Sequence, residues 1–241
     1  MGKKAVWIIG HGSSRNGWVE SVDHLIESVH SSNPLIISFL EKVEGRLIAD
    51  GIEQLRKMEV NQVFVLPLFV SSGSTHIAEI QEIVSQYRQE FHFEFGSCMD
   101  DHPLVVEHIL NQVAELAGGT GNESILLIGH GSDEDSFQSK WQEILQSLTK
   151  QIRERTKFSQ IVTATFLPNK IIERLQELKP SGTHILVIPL FLSKGVFTER
   201  RIPEMIQGYP VKYNGKAYLP NHWIIEWIQE QINQYKNHCE E

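Results

Sequence analysis

Three side chains able to hold and exchange a metal ion stand just beyond apolar stretches of the chain. His11 lies between Gly10 and Gly12, Glu41 follows Ser38-Phe39-Leu40, and His76 follows Ser71-Ser72-Gly73-Ser74-Thr75. Two imidazoles and a carboxylate suit a borderline divalent first-row ion such as Co2+, Fe2+, Ni2+ or Zn2+, with positions left for water or substrate. Such a set binds an ion without caging it. The glycines flanking His11 belong to a tight strand-to-helix turn, with Ser13 or Ser14 helping to cap the next helix. That turn needs no imidazole, which assigns His11 to chemistry. Glu41, taken alone, reads equally as an acidic residue in the first turn of a helix, favoured by the macrodipole. Glu44, one turn on, reads as a solvated face.

The elements that must position these residues follow from the pattern of apolar runs. Strands are expected over 5–9, 35–39, 62–69 and 91–95, separated by amphipathic helices over 19–30, 43–57, 75–87 and 103–116. Alternation of this kind gives a parallel sheet covered by helices. Ligands of such sheets bind outside the carboxyl ends of the strands, so His11, Glu41 and His76 converge on one rim. A second set of strands is expected over 125–128, 161–165, 185–189 and 211–213, with a last helix over 222–235. Pro67 and Pro189 fall near strand ends, where the missing N–H costs no ladder bond.

The second set repeats the first. Ile8-Ile9-Gly10-His11-Gly12-Ser13 recurs as Leu127-Ile128-Gly129-His130-Gly131-Ser132, and Val65-Leu66-Pro67-Leu68-Phe69-Val70-Ser71 as Val187-Ile188-Pro189-Leu190-Phe191-Leu192-Ser193. Two homologous doubly wound α/β domains are therefore expected, 1–118 and 122–241, each a mainly four-stranded parallel sheet flanked by helices, joined through Gly118-Gly119-Thr120-Gly121-Asn122. The copies differ where chemistry would sit. His130 is kept, but Pro168 stands at the place of Glu41 and Thr198 at that of His76. One metal set, on the first copy, results.

Composition narrows the classes further. The chain has 241 residues, 41% hydrophobic, with a formal net charge of -8 and no block of Lys or Arg. A broad nucleic-acid footprint is excluded, and an anionic substrate needs a local basic patch. No apolar run reaches the roughly 20 residues that span a bilayer, and no signal peptide opens the chain, so a cytoplasmic protein is expected. Cys98 and Cys239 have neither CxxC spacing nor the density of a disulfide scaffold. His24 and His30 read as helix surface, His92 as a strand residue, His102 as a helix cap before Pro103, and His238 as tail. Trp223 and Trp227 have helical spacing and read as core. GxxxxGK[ST], GxGxxG and GxSxG are all missing.

The three motifs, in this order and spacing, resemble the sirohydrochlorin chelatases of the CbiX and SirB type, the class II chelatases, in their long two-domain form. The resemblance covers nearly the whole chain. It implies insertion of a divalent metal, Co2+ or Fe2+ and with Ni2+ not distinguished, into sirohydrochlorin during cobalamin or siroheme biosynthesis, with the metal as substrate and no organic cofactor. By that likeness His11, Glu41 and His76 are the catalytic and metal-binding residues, with the imidazoles holding the ion and Glu41 receiving pyrrole protons or helping to hold the metal. The segment from Pro67 to His76 is one residue longer than the family pattern, and Ser74-Thr75 replaces a bulky apolar residue. For a tetrapyrrole bearing several carboxylates, the expected contacts are Ser13, Arg15, Lys194, Arg200 with Arg201, and His130. The second copy is expected to close the substrate cleft, in a monomer or homodimer. The alternative is a family member that binds a tetrapyrrole or a metal without inserting one.

Overall fold

The computed structural model describes residues 2–14, 16–118, 123–158, 160–178 and 184–238. Arg15, most of the expected linker and Cys239 lie outside the described residues. The first half runs β1 (Lys4–Gly10), α1 (Asn16–Glu27), β2 (Leu35–Phe39), α2 (Ile48–Lys57), β3 (Gln62–Pro67), α3 (Thr75–Ser85), β4 (His92–Phe95) and α4 (Pro103–Leu116). The second runs β5 (Ser124–Gly131), α5 (Asp135–Arg155), β6 (Ile161–Leu167), α6 (Ile171–Leu178) and β7 (Ile185–Pro189). It continues through a π-helical turn (Phe197–Arg201), α7 (Ile202–Ile206), β8 (Val211–Lys212) and α8 (His222–His238).

Both sheets are four-stranded and wholly parallel, in the orders β2-β1-β3-β4 and β6-β5-β7-β8. The expected α/β architecture is therefore present twice. Strands β1 and β5 are central, and Ala5 to Ile9 and Ile125 to Ile128 are fully buried. That double-sided burial is why these strands read as continuous apolar runs rather than as alternation. In each sheet the order reverses beside the central strand, which opens a crevice at its carboxyl end.

The compact units divide the chain differently from the sequence halves 1–118 and 122–241. One comprises Met1–Met99 with Asn221–Glu241, the other Asp100–Pro220. Helix α4 thus belongs to the second unit, packed on β7 and α5, and α8 to the first, packed on β3 and α1. The reason lies in their faces. Val105, Val106, Ile109 and Val113 of α4 are buried, and Ser147 Oγ and Gln151 Nε2 of α5 donate to Asp101 at its start. On α8, Trp223, Ile224, Trp227, Ile228 and Ile232 are buried, and Tyr235 stacks on Phe64 at 4.6 Å. The Ser97 N–H donates to Gln231 Oε1 at 3.1 Å.

Smaller features match or correct the reading from sequence. His102 Nδ1 accepts from the Leu104 N–H and caps α4, and β3 and β7 end on Pro67 and Pro189. Helix α2 begins at Ile48, not at 43, because Lys42 and Gly45 take left-handed conformations (φ 64° and 76°) and turn the chain first. No described helix is long and apolar enough to cross a membrane.

Since α8 seals one face of the first sheet, Trp227→Ala should lower stability by about 3–5 kcal/mol, the range for removing a buried aromatic side chain. Guanidinium unfolding measures this. Exposed Met58→Ala serves as the control and should change it by under about 0.5 kcal/mol.

Candidate metal-handling site

The site begins as a continuation of a ladder. Strands β1 and β2 pair from Val6 with Leu35 to Gly10 with Phe39, and pairing runs on past the strand ends. The Leu40 N–H donates to Gly10 O at 2.9 Å, and the Glu41 N–H to His11 O at 3.0 Å. Backbone bonding alone therefore sets Glu41 beside His11. Gly12 is required for this. At φ 100° it sits so close that a Cβ would lie 1.8 Å from the Glu41 carbonyl oxygen. Beyond Glu41 the turn is held by the Phe39 N–H donating to Arg46 O, and the Arg46 guanidinium makes a two-pronged bond to Asp23 of α1 at 2.7 and 2.9 Å. Glu41 stands on this turn and not in the first turn of a helix, so the macrodipole reading falls away.

His76 arrives from the third strand. The buried Ser71 hydroxyl accepts from the Gly73 N–H, the Ser74 N–H donates to Ser71 O, and α3 opens at Thr75. The longer loop delivers His76 edge-on to His11, with ring centroids 4.4 Å apart and planes at 64°. His11 Nδ1 donates to the Gly12 carbonyl at 2.9 Å. A carbonyl can only accept, so Nδ1 carries a proton, and in the neutral ring Nε2 keeps its lone pair. His76 Nδ1 faces the Glu79 carboxylate at 3.2 Å, which fixes the same tautomer. Both imidazoles are left with Nε2 as the donor atom for a ligand, and His11 Nε2 lies 3.4 Å from Glu41 Oε1.

All three residues expected from sequence are thus neighbours, half-buried or exposed at one rim. Two partners were not foreseen. Glu79 is one helical turn from His76, a spacing that could have signalled it. Lys42 Nζ bonds Glu41 Oε1, and only adjacency in sequence hinted at that. Among the described residues, no three His, Cys, Asp or Glu side chains already surround one ion position. Glu41 is held by Lys42 instead. The hydrogen bond from Lys42 holds the Glu41 carboxyl below its ordinary value; the charges of His11, Lys42 and His76 act in the same direction, and partial desolvation opposes them. A depressed folded value means that stabilisation from this pair is present above pH 4.5 and is lost as pH falls through the lowered value. Exposure keeps that contribution small.

The second unit repeats the frame without the chemistry. His130 Nδ1 donates to Gly131 O at 3.0 Å, and Gly131, at φ 76°, would place a Cβ 1.9 Å from Leu167 O. Leu167, set against Gly131 as Glu41 is against Gly12, occupies the place of Glu41, which corrects the expectation of Pro168 there; Pro168 comes one residue later. Thr198 is buried, and its hydroxyl accepts from the Gly195 N–H at 2.9 Å. His130 and Phe197 pack with their rings near perpendicular, centroids 5.1 Å apart. Of the expected substrate contacts, Lys194 and Arg200 are exposed on the stretch after β7, Arg200 paired with Glu204, while Ser13 is half-buried two residues beyond His11. His24 is exposed on α1 as expected, His30 is exposed but lies beyond the end of that helix, and His92 opens β4. His108 of α4 is buried against Gln112, and burial pushes its imidazole down to about 4, which makes it a neutral core residue.

A family model described as CbiX matches residues 5–116 and again 124–235. No curated protein sequence matches the chain significantly. Among solved structures, SirB from Bacillus subtilis with Fe3+ is 20% identical, with 96% of this chain and 95% of that one covered and a TM-score of 0.77. The sirohydrochlorin chelatase SirB from Bacillus subtilis subspecies spizizenii in complex with cobalt is also 20% identical, with coverage of 96% and 94% and a TM-score of 0.74. A multi-domain Deinococcus radiodurans protein with structural similarity to chelatases is 13% identical, with coverage of 96% and 55% and a TM-score of 0.67. At these identities the structural likenesses establish the fold.

The electrostatics of the rim have a direct check. Lys42→Ala should move the Glu41 carboxyl titration upward toward 4.5, read by carbon-detected NMR across a pH series. An unchanged midpoint would assign the depression to the imidazoles rather than to the lysine.

Proposed function

The chain belongs to the CbiX family, in two tandem copies, and from that premise we propose that it inserts a divalent metal ion, Co2+ or Fe2+, into sirohydrochlorin. The observation that carries this reading is the pairing of His11 with His76, each with Nδ1 engaged and Nε2 left to donate, beside an ionised Glu41. The SirB structures with Fe3+ and with cobalt support it from outside the chain. In the proposed reaction the metal is a substrate. Nε2 of His11 and of His76 take the ion as it sheds water, and the macrocycle then exchanges two pyrrole N–H protons for it. Glu41, its carboxyl held below the usual range and so ionised at neutral pH, is the proposed acceptor of one of these protons, and the other passes to solvent.

The Lys42 ammonium already neutralises Glu41, so an arriving dication competes with a cation held only by an exposed contact. Glu79 orients His76 and raises its donor strength, as carboxylates behind metal-binding imidazoles do. The extra residue before His76 does not keep it from His11, which removes the main ground for a purely binding role. Nothing in the ligand set separates cobalt from iron or nickel, because all three accept imidazole and carboxylate and cells select by availability.

His76→Ala should reduce Co2+ insertion into sirohydrochlorin, followed by visible absorbance, at least about 100-fold while circular dichroism stays unchanged. Full activity would overturn the assignment. Glu79→Gln should weaken Co2+ binding by about 10-fold, measured by titration calorimetry.

A further inference from the structure

Resting on the reading that the substrate is a tetrapyrrole, we propose that the second unit carries an aromatic platform for the macrocycle, formed by Phe191, Phe197 and His130 and bordered by Val196, Lys194 and Arg201. The first support is a substitution of chemistry between the copies. Where the first has Thr75-His76, the second has Phe197-Thr198. Thr198 is turned into the fold, its hydroxyl accepting from Gly195 and its carbonyl accepting from Tyr213 at 2.7 Å. Phe197 therefore takes the rim position.

The second support is geometry. Phe197 stacks on Phe191 at 5.3 Å with planes 18° apart, tilts against buried Phe166 at 4.8 Å, and packs near perpendicular to His130. Phe191, Phe197 and His130 are only half-buried. Phe69, the counterpart of Phe191, is 8% exposed and belongs to the first unit's core. Val196, next to Phe197, is 50% exposed, more than any other large apolar side chain described. A rim that carries ligands in one copy thus carries an apolar, π-rich surface in the other. The backbone departs there too, since Phe197–Arg201 forms a π-helical turn, a feature that recurs at functional sites.

Charge selects the occupant. The Arg201 guanidinium lies over the Phe197 ring at 5.6 Å, and Lys194 is exposed nearby in sequence. Glu199 lies on the turn and Glu204, on α7, engages Arg200, so the surroundings are mixed in sign rather than strongly basic. A flat conjugated ring with carboxylates on short arms fits this combination. Its face meets aromatic and aliphatic side chains while single carboxylates reach Arg201 and Lys194. A polyanion without a ring would gain nothing from the phenyl groups.

The test is a titration of metal-free sirohydrochlorin into the full chain, read by visible absorbance in buffer stripped of metal. Val196→Glu, which places a like charge on the platform without touching the core, should weaken binding about 10-fold, and Phe197→Leu about 5-fold. Ile172→Glu, the same charge at an exposed site elsewhere on the unit, should leave it unchanged. Thermal unfolding confirms that each variant folds. If the unaltered protein binds but both platform variants bind within twofold of it, the platform is overturned while the chelatase reading stands. If Val196→Glu leaves binding intact and alters the sedimentation coefficient, the patch is a contact between copies and the proposal falls. If the unaltered protein does not shift the tetrapyrrole spectrum, the chelatase reading fails and the platform with it.

Discussion

One backbone contact fixes the rest of the site: the end of the second strand bonds to the residue after the first, and a glycine makes room for it. The Glu41 N–H donates to His11 O, and the space beside its own carbonyl is open only because residue 12 has no side chain. The second copy holds the same arrangement through Gly131 and Leu167. This geometry belongs to the fold and not to the chemistry, because it survives where the carboxylate has become Leu167. What varies between copies is only what the frame carries. The histidine makes the same contact in both copies, its Nδ1 bonding the carbonyl of the next residue at 2.9 and 3.0 Å.

Duplication explains how the second rim could change so far. On the proposed reading, an ion-binding set on the first copy leaves the second free of the demand for Nε2 donors, and its third-strand loop forms a self-contained turn. Thr198 contributes a hydroxyl to that turn and no ligand. The phenyl rings beside it gave the unit a different surface. The exchange of α4 and α8 ties these two histories together. Each compact unit draws its closing helix from the other half of the sequence, and helix faces as apolar as that of α8 leave neither half with a complete core of its own.

The strands and the rim were legible because parallel strands buried on both faces read as uninterrupted apolar runs, and because ligands sit where such runs end. His11, Glu41 and His76 followed from those two facts. The exchange of helices was not legible. Both α4 and α8 are amphipathic, and nothing in an amphipathic pattern states which sheet it covers. The turn after Glu41 was misread as helix because Lys42 takes a left-handed conformation, which lysine rarely adopts and which no pattern of apolar residues reveals. Lys42 and Glu79 escaped for a related reason. Their roles depend on where a flexible side chain comes to rest, and sequence gives only its reach.

The exposure of the Lys42–Glu41 pair bears on how the proposed reaction can turn over. A carboxylate buried with its partner would cost several kcal/mol to separate, since each charge would be left without water. At this rim both side chains remain close to half exposed, and solvent screens their attraction. Breaking the contact is therefore cheap in either direction. A dication can displace the ammonium, and the ammonium can return when the ion leaves with its product. Two imidazoles and one loosely held carboxylate give an ion a place to lose water without a place to stay. A closed cage of four ligands would bind the metal better and would make a poorer donor of it.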